Sequence, residues 1–189
     1  MNAPARTAPQ VRVAGRLLRM KSFLSLLLFC LISTSSLALA KTPGEVEIGG
    51  TLRDIQMQGL SGPSRKLSEF RGKPLIINVW ASWCGPCRQE MGSLERLARS
   101  KLGKQLTMIG ISTDDYPEAA KGFLTKSKTT FSHFIDSRLQ LENMLGADRL
   151  PLTLLVDARG KVVDKYYGAQ EWDSPEALRA IAKTLRLQL

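Results

Sequence analysis

The sequence predicts an α/β fold: a central mixed sheet with helices on both faces. Three observations carry this. Continuous apolar runs with β-branched residues, "LIINVW" (75–80), "LTMIGIS" (106–112) and "LTLLVD" (152–157), have the look of strands buried on both faces. Between them lie stretches whose apolar residues recur at helical spacing. The resulting order is β-α-β-α-(β)-α-β-β-α, which suits a sheet covered by helices.

The elements follow in turn. Residues 51–57 and 64–68 bracket the turn cluster "GLSGP" and are expected to form a small hairpin. After the strand at 75–80, a helix starting near Pro86 places Cys87, Met91, Leu94, Leu97, Ala98 and Leu102 on one face. A weaker helix is expected over 116–127, behind Asp114-Asp115, with Phe123 and Leu124 inward. In "FSHFID", His133 alternates with Phe131 and Ile135 and reads as a strand position. "SRLQLENMLG" offers Ser137 and Gln140 as a capping box and Gly146 as a stop. Residues 152–157 and 161–167 flank the turn "DARG" and should pair as a hairpin. "SPEALRAIAKTL" begins with Ser174 as cap and Pro175 as first helical residue, and Leu178, Ile181, Ala182 and Leu185 form its stripe.

The front of the chain is of another kind. Residues 1–22 carry Arg6, Arg12, Arg16, Arg19 and Lys21 and no acid. An apolar run, "FLSLLLFCLI" (23–32), then a Ser/Thr patch and "SLALAK" follow. A positive segment, a short apolar core and the small residues Ala38 and Ala40 make a secretory signal, with cleavage expected after Ala40. Left uncut, the same leader would be a membrane anchor; its charges direct the rest of the chain out of the cytoplasm in either case. Met20-Lys21 would itself make a normal signal start, so residues 1–19 read as an extension. The organisation is therefore a leader (1–40), a flexible approach segment (41–50) and one domain (51–189). Removing the leader lowers the formal charge from +10 to +5. The remaining charges are scattered, which argues for a solvated surface and against nucleic-acid binding.

Three cysteines are present, and Cys30 lies inside the apolar run of the leader. Cys84 and Cys87 remain, in "NVWASWCGPCRQEM" (78–91). As a staple the pair is nearly useless, because entropic stabilisation falls with loop size. A zinc site normally needs four ligands, and the chain has one histidine, so no metal is expected. The chemistry that remains is thiol–disulfide exchange. The pair follows a buried strand and opens a helix, so Cys84 sits where free backbone N–H groups and the helix dipole favour an anion. Its thiol is expected to be more acidic than an ordinary cysteine. Cys84 is the candidate exposed nucleophile and Cys87 the buried resolving thiol, with a Cys84–Cys87 disulfide as the oxidised product. Pro86 stiffens the ring, and Gly85 leaves room for a partner's backbone.

Glu90 lies one helical turn beyond Cys87 and leans towards the buried side. It is either an ordinary helix glutamate or a buried carboxylate of raised pKa that exchanges the Cys87 proton. Pro151 precedes a buried strand and is either a cis-proline or a plain strand-start residue. Trp80 is expected in the core and Trp83 at the active surface.

These residues, with "SEFRGKPLIIN" upstream and "LPLTLLVDARGKVV" downstream, resemble the thioredoxin superfamily and, more closely, exported TlpA/ResA-type thiol–disulfide oxidoreductases. The resemblance covers most of 45–189. It implies a thioredoxin fold with an added N-terminal β-hairpin and Cys84/Cys87 as the redox pair. It also implies a cis Pro151 facing the disulfide, with the Leu150 backbone helping to hold substrates. The TlpA/ResA branch is similar to this chain in having a glutamate where Glu90 stands and in lacking the buried aspartate that thioredoxin has where Asn78 stands. Two departures are Gly92, where proline is common, and Leu152, where a small polar residue is common and which is expected to border the substrate groove. The stretch typical of dedicated cytochrome c maturation thioredoxins is missing.

The reading is a periplasmic, monomeric reductase of protein disulfides that needs no cofactor and is recharged by a membrane electron donor. Its clients, on the resemblance, are apocytochrome c or respiratory copper-site cysteines. The alternatives are a disulfide-forming oxidase, disfavoured by the Gly-Pro dipeptide, and a Cu(I)-binding assembly chaperone, which in related proteins spaces its cysteines wider and adds a histidine. A peroxidase is disfavoured because Ala81 occupies the position of the peroxidatic threonine.

Overall fold

The computed structural model describes residues 43–189. The leader, Cys30 and the cleavage site after Ala40 lie outside the described residues. Strands β1 (Gln56–Gly59), β2 (Arg65–Lys66), β3 (Leu75–Trp80), β4 (Thr107–Ser112), β5 (Ser132–Ile135), β6 (Leu152–Val156) and β7 (Val162–Tyr167) form a single sheet in the order β2-β1-β5-β4-β3-β6-β7. Helices α1 (Gly85–Arg99), α2 (Pro117–Ser127), α3 (Gln140–Leu145) and α4 (Pro175–Leu185) connect and cover it. β3, β4 and β5 run parallel, while β6, β7 and the β1–β2 hairpin are antiparallel additions. The expected hairpin thus lies at one edge, its first strand paired to β5.

Alternation along the central strands divides the core in two. Leu75, Ile77 and Val79 of β3 and Leu152, Leu154 and Val156 of β6 point to one face, packed with α3 residues Leu141, Met144 and Leu145 and with Leu67 and Phe70. Ile76 and Trp80 of β3 and Leu155 of β6 point to the other, under α1, α2 and α4. Side chains on a strand alternate faces, so Asn78 and Thr153, opposite one another in the β3–β6 register, share the α1 face. The same alternation corrects the expectation for Leu152: its side chain is fully buried in the opposite layer, away from the α1 face.

Gly110 on β4 is required by crowding rather than by its backbone angles. A Cβ there would stand 2.2 Å from Nδ1 of His133 and 3.0 Å from Nε1 of Trp80. His133 is the buried strand residue the alternation suggested, 1% exposed beside Gly110 in the β4–β5 register.

One cap differs from expectation. Ser137 does not start α3. Asp136, at the end of β5, does: its carboxylate accepts from the N–H of Gln140 (3.0 Å) and of Glu142 (2.7 Å). A carboxylate offers a separate oxygen to each of two orphan N–H groups, and Leu139 in the left-handed region (φ 54°) brings the chain round to Gln140. Gly146 ends the helix as expected, with φ 76°. Ser174 caps α4, accepting from the N–H of Ala177 at 3.1 Å, with Pro175 next.

The segment before β1 is tied to the body. Val46 N–H donates to Met144 O (2.8 Å) and Gly49 N–H to Val162 O (2.7 Å). Lys165, only 7% exposed at its side chain, pairs Nζ with Oε1 of Glu45 at 2.5 Å.

Candidate active site

The site sits where β3 ends and α1 begins. The apolar run of β3 stops at Trp80, which is fully buried. Ala81 and Ser82 turn the chain, and Cys84 N–H donates to Ala81 O at 3.1 Å. Asp114, at the end of β4, clamps that turn: its carboxylate accepts from Ser82 N–H (2.9 Å), Ser82 Oγ (2.6 Å) and Ser112 Oγ (2.7 Å). The parallel β3–β4 pairing sets Trp80 beside Ser112 and so makes this contact local in space. Trp83 is held out into solvent, 71% exposed. Nothing in the sequence reading marked Ser82 or Asp114; the nearest signal was the Asp114-Asp115 pair, read only as a helix lead-in.

Cys84 is the N-cap of α1, and its Sγ accepts the Cys87 backbone N–H at 3.2 Å. Pro86 lies in the first turn. Gly85 is exposed, and a Cβ there would meet nothing within 4 Å. Cys84 and Cys87 are joined in a disulfide, with Sγ atoms 2.06 Å apart. Cys87 has no exposed surface; Cys84 is the outer of the two, yet in this oxidised state it is only 5% exposed. Arg88 and Gln89 face outward.

Glu90 is 1% exposed on the buried face of α1, a buried carboxylate rather than an ordinary helix glutamate. Three donors reach its carboxylate. Asn78 Nδ2 donates to Oε1 at 2.8 Å; Trp172 Nε1 (2.9 Å) and Gln170 N (3.2 Å) donate to Oε2. Asn78 Nδ2 also donates to Thr153 Oγ1 at 3.0 Å. Burial pushes the Glu90 pKa above the ordinary carboxylate value, and the bonds from Trp172, Asn78 and Gln170 oppose it without cancelling it. Ser93, one turn on, fixes the loop that delivers Trp172: its Oγ contacts Gln170 O at 3.2 Å and accepts from Trp172 N at 3.1 Å. Trp172 and Gln170 were missed from sequence because the loop between β7 and α4 reaches α1 only through tertiary packing, and Ser93 and Thr153 because their partners come from that loop and from the β3–β6 register.

The Leu150–Pro151 bond is cis, and Pro151 is buried at the start of β6, whose neighbour β3 leads into the cysteines. Leu150 is partly buried against both core layers. Among the described residues no group of three or more His, Cys, Asp or Glu is arranged to hold a metal ion.

Comparison with known proteins agrees in kind. The Redoxin family profile matches residues 47–181. The thiol-disulfide oxidoreductase ResA of Bacillus thuringiensis subsp. konkukian is 29% identical over 126 residues, covering 67% of this chain and 73% of the relative. The ResA of Geobacillus thermodenitrificans is 30% identical over 117 residues, covering 62% and 67%. Among solved structures, the Chlorobium tepidum protein assigned as thiol:disulfide interchange protein DsbE superposes with TM-score 0.66 at 25% identity, covering 75% of this chain and 97% of that one.

Proposed function

The chain belongs to the Redoxin family and is a thiol–disulfide oxidoreductase with a thioredoxin fold, and from that premise we propose that it reduces the disulfides of client proteins outside the cytoplasm, with Cys84 as nucleophile and Cys87 as resolving thiol. The observation that supports this most is the position of Cys84. It caps α1 with its sulfur on the Cys87 N–H, where a helix N-terminus favours a thiolate. The Cys84 thiolate attacks one sulfur of the client disulfide; that bond breaks, a mixed disulfide forms, and the other client sulfur leaves as a thiolate. Cys87, deprotonated, then attacks Cys84 Sγ, releasing the client dithiol and leaving Cys84–Cys87 oxidised. Two electrons pass from this chain to the client, and the two sulfurs carry them without a cofactor.

Glu90 is the buried base in this reading, taking the Cys87 proton as the second step begins. Its raised pKa suits it to the exchange. Leu150 and Pro151, which lead into β6 beside the strand that ends at the cysteines, are the substrate-holding residues in this reading. The leader, outside the described residues, supports a periplasmic location, with a membrane electron donor restoring the dithiol. Among the described residues no helix is long and apolar enough to cross a membrane. Apocytochrome c and copper-site cysteines are the clients we favour.

Cys87→Ser, expressed with the leader, tests the reading. It should accumulate mixed disulfides at Cys84 that are absent from Cys84→Ser, and the trapped chains identify the clients. Recovering no adduct from a variant whose wild type turns over would overturn it. A measured potential near that of a strong disulfide donor, about −120 mV, would make the protein an oxidase instead.

A further inference from the structure

A groove opens at Gly85, beside Cys84, and runs between α1 and α2. Its lining includes Gly85, Arg88, Gly92, Phe123 and Lys126, and its volume is about 660 Å³. The floor is bare where the glycines lie: a Cβ at Gly85 would meet nothing within 4 Å, and one at Gly92 only Arg96 Nη1 at 3.4 Å. Phe123 gives it a partly buried apolar wall. Its charged lining is of one sign. Arg88 and Lys126 are both exposed, and neither meets a carboxylate among the described residues. Lys121 and Lys128 add positive charge on α2 and at its end. The acids of these helices are elsewhere or engaged: Glu118 lies in the first turn of α2, and Glu95 is held by Arg99 and Thr130.

We propose that this groove is the docking track for an acidic segment of the disulfide-bearing partner, laid along Gly85, Phe123 and Gly92 with its carboxylates between Arg88 and Lys126. The proposal rests on the thiol–disulfide reading above. The track begins next to the attacking sulfur, so a segment lying in it would bring a cystine in the same polypeptide to Cys84. Two unpaired cations beside an apolar wall select against a basic partner as well as for an acidic one. That dual selection is what the experiment reads.

Three synthetic peptides, each closing one intrachain disulfide, carry aspartate, lysine or serine in the flanking positions. Their rates of reduction by the reduced protein are compared for the wild type, for R88E/K126E and for a charge-matched control, K183E/R186E, changed on α4 and the residue that caps it. The wild type should reduce the acidic peptide about tenfold faster than the basic one at low ionic strength, a preference that shrinks in high salt. R88E/K126E should invert the order, and K183E/R186E should keep the wild-type order. An equal acidic-to-basic ratio in the wild type and R88E/K126E overturns the proposal. So does an equal loss in K183E/R186E, which would assign the effect to overall charge. If vesicles of phosphatidylglycerol bind the wild type but not R88E/K126E while the peptide ratios agree, the groove meets a lipid surface and the proposal falls. Failure of the wild type to reduce the serine peptide would instead remove the thiol–disulfide reading itself, and the proposal with it.

Discussion

The indole Nε1–H of Trp172 donates to Oε2 of Glu90 at 2.9 Å, across 82 residues of sequence. Both side chains are buried, at 2% and 1% exposure. The bond joins the loop before α4 to the face of α1 that carries Cys87, and it is one of the influences holding the Glu90 pKa down against its burial. Trp172→Phe keeps an aromatic ring against Tyr166, whose ring centroid lies 5.6 Å away, and removes the donor together with part of the buried ring volume. The Glu90 carboxyl should then titrate still higher, followed by its infrared or NMR signal, and stability should fall by about 2–3 kcal/mol for a lost bond to a charged group. An unmoved titration would make Trp172 a packing residue alone.

Glutamine and alanine at position 90 should part company. Glu90→Ala strands Trp172 Nε1 and Gln170 N–H in a dry core and leaves Asn78 Nδ2 with Thr153 Oγ1 alone, at a cost of about 3–5 kcal/mol. Glu90→Gln can turn its oxygen to Trp172 and Gln170 and its amide to Asn78. Asn78 can rotate to receive it, because its Oδ1 has no hydrogen-bond partner among the described residues. The glutamine variant should therefore stay within about 1 kcal/mol of wild type. The pH dependence separates them further. Because the folded pKa of Glu90 is raised, the unfolded chain releases this proton first, and the stability contributed by protonated Glu90 is lost as pH rises through the window between the ordinary and the raised value. Urea melts of both proteins across that window isolate this contribution, because His133 titrates in both and cancels in the difference: wild type should lose stability relative to Glu90→Gln as pH rises. If Glu90→Gln keeps the same slope, the carboxylate is not the group that titrates.

What the sequence made legible is local. Runs such as Leu75–Trp80, the Ser174-Pro175 start of α4 and the cysteine pair at a strand–helix junction each declare themselves within a few residues. Glu90 could be placed on the inner face of α1 from spacing alone. Its partners could not. Asn78, Gln170 and Trp172 converge on it, with Thr153 linked only through Asn78, by way of the β3–β6 register and a loop with no periodicity. The misplaced α3 cap has the same origin: Ser137 and Asp136 are adjacent, and only the left-handed turn at Leu139 decides which one faces the helix. Leu152 was misjudged because its side is fixed by the pleat of β6, which sequence position does not reveal.

Asp114 is the next residue to test. Its carboxylate gathers Ser82 N–H, Ser82 Oγ and Ser112 Oγ and so fixes the turn that presents Trp83 and Cys84. Asp114→Ala leaves those buried or half-buried donors without an acceptor and should cost about 3 kcal/mol. The rate of mixed-disulfide formation should fall about tenfold or more, since a small misplacement of a nucleophile is expensive. Asp114→Asn, which keeps one acceptor oxygen, should recover part of both. If stability falls in Asp114→Ala but the rate per folded molecule does not, Asp114 supports the fold without positioning the sulfur.

His133 should give the protein an acid limit that does not involve its redox chemistry. The ring is buried against Phe131 and Trp80, with centroids 4.5 and 5.5 Å away, and Nε2 meets Thr129 Oγ1 at 2.9 Å. Burial disfavours the imidazolium and lowers the pKa to about 4, with only the charge of Glu95 acting the other way. The unfolded chain, whose histidine titrates near 6.5, therefore binds more protons between the two values. The stability contributed by neutral His133 is present in full above about 6.5 and is lost as pH falls towards 4, a loss of about 3 kcal/mol. Denaturant melts of wild type and His133→Phe from pH 7.5 to 4 isolate it, because Glu90 titrates in both proteins and cancels in the difference. Wild type should lose about 3 kcal/mol more than the variant. Parallel curves would mean that the folded state accommodates the charged ring, and that the buried face of β5 is open to water at low pH.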